Sequence, residues 1–333
     1  AVNSIAGTVS TFDLGGLCQK GGGIQALASW TRDGGSGPDD IFVAITTEGE
    51  VILYSGNDPG TAAEWILVGA SFNIGKPIGR RCVETVGSDC IVTTQDGAIQ
   101  LASMLPIDRV GAAAKALSDN IHNVFLASAR SYGAIFGWQS IHYPQGSYAL
   151  FNVPISTTTS YQYVANTLTG AWCRFTGQNA ACWGIYNGDL YFGSTSGGTV
   201  FKADTGTSDN GANIEFTIKP AFNYFGKRGV NKLFTLCRPH FTSNGAPAVA
   251  IDLNIDFSAV TPTSIPTATV LNAALWDVSL WDNANWANDI NIADWLTVYG
   301  LGDCATPVIR GAEKSLTIKF SSYDMIYQVG NAL

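Results

Sequence analysis

Cys182-Trp183-Gly184-Ile185-Tyr186-Asn187-Gly188-Asp189-Leu190-Tyr191-Phe192-Gly193 is two β-prone runs joined by Asn-Gly. An Asn-Gly pair accepts positive φ at both central residues of a two-residue turn, so its twist matches that of the flanking strands. The stretch therefore reads as a tight hairpin. The next one follows at once, as Tyr191-Phe192-Gly193 turns through Gly197-Gly198 into Thr199-Val200-Phe201.

Upstream the motif repeats. Ile41-Phe42-Val43-Ala44-Ile45-Thr46 passes through Glu48-Gly49 into Glu50-Val51-Ile52-Leu53-Tyr54, and Cys90-Ile91-Val92-Thr93-Thr94 passes through Asp96-Gly97 into Ala98-Ile99-Gln100-Leu101. Further strand-like runs lie at Trp65–Gly69, Ala149–Val153, Tyr161–Ala165 and Ala171–Phe175. Strands at this spacing with turn chemistry between them indicate an all-β sandwich, barrel or propeller. Their grouping at 41–72, 81–102 and 146–203 favours propeller blades. One segment departs from this rhythm. From Asp108 to Tyr132, Val110, Ala114, Leu117, Ile121, Val124, Phe125 and Ala129 recur at helical spacing, and Gly133 is a C-terminal stop. A helical insertion is expected at 108–132, whole or restarted at Ser118 or Asp119, packed on its own sheet.

Past Gly206 the strands lengthen: Ile214–Lys219 and Ala248–Ile255 alternate, and more strand is expected at Ile292–Val298 and Ser315–Phe320. The expected organisation is a propeller-like domain over 1–205 and a C-terminal β-sandwich-like domain over 206–333. A Thr/Pro-rich loop or short linker is expected at 258–270. The chain begins Ala-Val-Asn-Ser-Ile, without Met and without a signal-peptide pattern, so upstream sequence is expected to be missing. No apolar run is long enough for a transmembrane helix.

Composition narrows the function. Of 333 residues 46% are hydrophobic, enough for a sizeable core, whereas 13% are charged, about half the usual share. Few charges with 37 glycines suit short strands, tight turns and a surface covered by neighbouring subunits. The net charge of −8 argues against a phosphate-gripping basic face and suits a surface that DNA slides past. The seven cysteines lack C-x-x-C pairs and read as buried free thiols. His122, His142 and His240 are too scattered for a metal cluster.

The candidate sites are few. Asp204-Thr205-Gly206 matches an aspartic-protease triplet, but that chemistry needs a second copy, and none exists. Thr207-x-Asp209-x-Gly211 partly matches an Asp-box turn, and Asp204, Asp209 and Asn210 offer oxygen ligands without EF-hand spacing; both read as polar turns. Lys227-Arg228, with Lys232, is the densest basic cluster and reads as a solvated hairpin tip, with an acidic neighbour or DNA as the sharper alternative. Arg80-Arg81 is weighed the same way. Trp276, Trp281, Trp286 and Trp295 fall within 20 residues at spacings of neither strand nor helix, and suit a domain core or a contact between subunits. Gly21-Gly22-Gly23 lacks the tail of a phosphate loop. No catalytic, cofactor-binding or metal-binding residue is assigned.

Several segments resemble tail proteins of short-tailed bacteriophages (podoviruses). They are Ile41–Thr46 with Gly49-Glu50-Val51, Tyr54-Ser55-Gly56-Asn57-Asp58-Pro59, Ile74-Gly75-Lys76-Pro77-Ile78-Gly79-Arg80-Arg81, Asn166–Phe175, Leu190–Gly193 and Ala203–Gly206. The likeness runs from about residue 1 to 240, returns in the Leu-Trp-Asp repeats, and is to the tail hub or nozzle class related to packaged-DNA-stabilisation proteins. That resemblance implies a non-enzymatic β-propeller protein in a hexameric ring below the portal and its adaptor, assembled in the host cytoplasm and carried in the virion. Its lumen would retain and then conduct the genome, which touches it only in passing and without sequence preference. Members of the family are longer at the N-terminus. A carbohydrate- or receptor-binding tail module, suggested by the tryptophans, is the alternative. A propeller glycosidase ranks below it.

Overall fold

The computed structural model describes residues 11–33, 38–56, 58–104, 116–245, 247–263, 290–292 and 294–330. The protein is mostly β, and the chain divides into two compact units, Ala1–Asp204 and Thr205–Leu333.

The first unit contains four open antiparallel sheets, in each of which strands adjacent in sequence are adjacent in space. β1 (Ile24–Asp33), β2 (Pro38–Thr46), β3 (Glu50–Ser55) and β4 (Ile66–Asn73) form the first, and β5 (Val83–Val86), β6 (Asp89–Thr94) and β7 (Gly97–Gln100) the second. β8 (Gln139–Tyr143), β9 (Tyr148–Pro154), β10 (Ser160–Asn166) and β11 (Trp172–Thr176) form the third. The fourth is β12 (Ala180–Tyr186), β13 (Asp189–Ser194) and β14 (Val200–Lys202). The β12–β13 turn is the one expected, with Asn187 at φ 51° and Gly188 at φ 82°.

Consecutive sheets share cores, and this explains why the middle strands read as unbroken apolar runs. In β6, Cys90 and Val92 pack with Ile41, Val43, Leu53 and Ile99, whereas Ile91 packs with Phe125, Trp138 and Phe151. In β9, Phe151 and Val153 join that second core while Leu150 turns to a third with Ile141, Val164, Trp183 and Leu190. A strand buried on both faces has no polar face to alternate with.

The helical insertion is shorter than expected at its described end. Residues 105–115, with Val110, lie outside the described residues; α1 (Leu101–Met104) precedes them and α2 (His122–Tyr132) follows a 3-10 turn at Asp119–Ile121. Leu117 and Ser118 are not helical because they are tied to β7: Leu117 N donates to Ala98 O, and Ser118 Oγ accepts from Ala98 N at 3.0 Å. α2 buries Phe125 and Ala129 in the second core, and Gly133 ends it in right-handed geometry.

The second unit is wired differently. β15 (Ile214–Ile218) and β17 (Val249–Ile255) both pair with β20 (Ala305–Glu313). β16 (Lys232–Ser243) pairs along one edge with β21 (Ile318–Val329) and along the other with β18 (Ile290–Ile292) and β19 (Leu296–Gly302). Phe234 and Cys237 of β16, Leu253 of β17, Val298 of β19 and Ala305 of β20 share one core, so the two sheets bury one face of each. None of the six sheets closes on itself among the described residues.

Candidate functional site

The first strands of three consecutive sheets, β1, β5 and β8, meet at a polar recess. Gly79 makes the meeting possible: it sits at φ +73°, and a Cβ there would lie 2.7 Å from Trp138 Cβ and 2.9 Å from its carbonyl oxygen. The chain then runs Arg80-Arg81 beside β8, where Arg81 and Gln139 form a parallel bridge and Ser140 N donates to Arg81 O. From β1, Gln25 Nε2 donates to Gly79 O at 2.6 Å.

A buried amide orients one of the two arginines. Gln139 Oε1 accepts from Trp183 N at 2.9 Å, and its Nε2 donates to Trp183 O at 2.9 Å. Both backbone bonds fix which amide atom faces the recess, so Oε1 also accepts from Arg81 Nη1 at 3.2 Å. The tie to β12 is reinforced by Asn152, whose Nδ2 donates to Gly137 O and Ala180 O and whose Oδ1 accepts from Trp183 Nε1 and Gln162 Nε2. The Gln139 and Asn152 amides, each bonded at both ends, hold this network to one geometry.

The recess encloses about 480 Å³, and Gln25, Arg80, Arg81, Glu84, Gln139 and Ser140 supply its polar lining. Glu84 is the only acid in that lining among the described residues. Burial pushes its carboxyl above the ordinary range, an effect partly offset by the His142 N–H that donates to Oε1 at 3.1 Å. Ser140 Oγ is buried without a hydrogen-bond partner among the described residues. Among the described residues the lining carries two guanidiniums, two amides and one carboxyl, a set suited to binding by hydrogen bonds.

The other sequence candidates lie elsewhere. Lys227 and Arg228 are exposed, Arg228 lying 4.4 Å from the Tyr224 ring. They occupy a loop between β15 and β16, which do not pair with each other, so the expected hairpin tip is corrected to a crossover loop. Lys232 does not extend that basic surface. It is fully buried, and its ammonium donates to Lys227 O, Val230 O and Asp303 O at 2.6–2.9 Å. Trp276, Trp281 and Trp286 lie outside the described residues. Trp295 is described and 40% exposed, with the Arg238 guanidinium 4.6 Å from its ring.

Arg238 Nη2 and His240 Nε2 both meet Asp324 Oδ2, at 2.6 and 2.9 Å. Arg238 first, then His240, holds the Asp324 carboxyl below its usual range. Further along the same outward face stand Tyr299, Leu301 and Ile326, at 81%, 61% and 43% exposure. In the same unit an apolar groove of about 280 Å³ runs between Ile214, Phe216 and Ile218 of β15 and Leu316, Ile318 and Phe320. Of the Asp204–Gly211 candidates, Asp209 to Ala212 form a turn, exchanging both backbone bonds with Asn210 and Gly211 at positive φ, while Asp204 lies in a bend at φ 52°.

All seven cysteines are free. Among the described residues no His, Cys, Asp or Glu side chains gather as a metal site, and no helix is long and apolar enough to cross a membrane. No family model matches this chain. The comparison with curated proteins returns no match either.

The missed feature is the recess itself. Arg80-Arg81 was visible as a charge pair, but β1 and β8 carry too many polar residues to read as strands. Only the Gln25 and Gln139 contacts reveal what the pair adjoins.

Proposed function

We propose that this protein is a structural component of a short phage tail, a hub or nozzle ring below the portal and adaptor, whose channel retains and then conducts the genome. The observation that carries the reading is the outward face of β16, β19 and β21, where Tyr299, Leu301 and Ile326 stand in solvent on a chain otherwise poor in exposed charge. Contiguous exposed apolar side chains mark surfaces that another protein covers, and symmetric copies of one chain are the commonest partner.

Two features of the fold support the finer architecture. The first unit's consecutive meander sheets, each sharing a core with the next and meeting along their first strands, suit a propeller. The two sheets of the second unit around one core suit a sandwich. The net charge of −8 suits a lumen that DNA crosses without adhering. On this reading the protein assembles in the host cytoplasm and resides in the virion.

Light scattering on the purified chain tests the reading. The wild type should assemble into rings, expected to be hexamers, and Tyr299→Ser with Leu301→Ser should shift it to monomer. A wild type that stays monomeric and fails to assemble on its adaptor would refute the proposal.

Trp295 favours a second reading, a carbohydrate- or receptor-binding tail module, because a 40% exposed aromatic ring with the Arg238 guanidinium over one face, itself bonded to Asp324, offers a stacking surface beside hydrogen-bonding groups. Glycan binding lost in Trp295→Ala or Trp281→Ala, with the assembly state unchanged, would select it.

A further inference from the structure

We propose that the recess where β1, β5 and β8 meet binds a small oxyanion, of phosphate or carboxylate type, between Arg80 and Arg81. Neither arginine has an acidic partner among the described residues. Arg81 is held only through the neutral Gln139 amide, which positions the guanidinium and leaves its charge unopposed. Glu84, the one acid among the described residues of the lining, has an oxygen committed to the His142 backbone N–H.

Two guanidiniums without an ion pair among the described residues match what an oxyanion accepts, because planar donors bond its oxygens in pairs and each charge-assisted bond is stronger than a neutral one. Orientation of Arg81 by a buried network lowers the ordering cost of binding. The cavity, about 480 Å³, is within the range of small-molecule sites and has room for an organic phosphate or a polycarboxylate as well as the bare ion.

Calorimetric titration of the full chain with inorganic phosphate and with citrate, at constant ionic strength in chloride, tests the site. Saturable binding is expected for at least one of them. Arg80→Gln and Arg81→Gln should each weaken it about tenfold or more, as loss of a charge-assisted bond does. Arg81→Lys should weaken it less, and Arg228→Gln in the other unit should leave it unchanged. Tighter phosphate binding would identify a phosphoryl ligand, and tighter citrate binding a carboxylate one. Should Arg81→Gln fail to fold, Arg80→Gln carries the test, since its exposed side chain has no hydrogen bond or ion pair among the described residues to lose. The proposal is overturned if neither anion binds in competition with chloride, or if the arginine variants bind as the wild type does.

Discussion

The two units solve the same problem, covering both edges and faces of short sheets, by opposite wiring. In the first, every strand pairs with its sequence neighbour, so each sheet is completed through two or three local connections. In the second, β15 pairs with β20 and β16 with β21 across separations approaching a hundred residues, as in Ile214 opposite Glu313. Local pairings are specified by turn chemistry, whereas distant ones are specified only by which apolar faces fit together and must first meet the entropy cost of closing a long loop. The first unit should therefore depend on its stacked cores and turns, and the second on a few contacts that fasten distant segments.

The largest expected effect comes from the core that joins successive sheets. Phe125→Ala removes a fully buried ring within about 6 Å of Trp138, Phe151 and Tyr163, and should destabilise the first unit by roughly 3–5 kcal/mol in denaturant titration. A loss below about 1 kcal/mol would mean that α2 is not integral to that core.

Next comes the fastening of the second unit. Lys232→Met deletes the ammonium that gathers three carbonyls from the 227–230 loop and Asp303. Leaving those acceptors buried should cost about 3 kcal/mol, with hydrogen exchange rising first in that loop and in β16. Exchange that rises equally in both units would contradict the separation drawn here.

Gly188→Ala should cost about 1 kcal/mol, because the β12–β13 turn holds this position at φ 82°. Thermal unfolding of this variant measures how much of the first unit's stability rests on one local turn.

The smallest effect is one of pH. Burial pushes the His142 imidazole below its ordinary value of 6.5, so the folded state prefers the neutral ring. Its contribution is complete above pH 6.5 and is lost as pH falls below that value towards the lowered pKa. Glu84 acts in the opposite sense: its raised pKa gives a contribution present below the ordinary carboxylate range and lost as pH rises through the raised value. Replacing His142 alone separates the two. Between pH of about 7.5 and 5.5 the His142→Asn variant should lose less stability than the wild type, by under about 1 kcal/mol after solvent screening. An identical loss in both would remove the ring from the account.

Turn chemistry made the first unit's middle and outer strands legible. Asn187-Gly188, Asp96-Gly97 and Glu48-Gly49 announce their hairpins, and double-sided burial turns β6 and β9 into plain apolar runs. The first strands that meet at the recess, β1, β5 and β8, were harder to read for a physical reason. Gln25, Glu84, Gln139 and Ser140 are polar because these strands line the recess, so the residues that build the candidate site are the ones that blur the strand pattern. In the second unit, β15 and β17 were readable from their alternation, whereas β16 was not read as a strand. Pairing was not readable, because nothing local couples Lys232 to Asp303 or Arg238 to Asp324.

On the function we propose, this protein works by shape and by packing against copies of itself. Negative-stain images of the purified full chain test it most directly. Closed rings of uniform size are predicted, with the Tyr299–Leu301 face at the contact between neighbours. A field of single particles at all concentrations, from a preparation that instead turns over a small substrate, would contradict it.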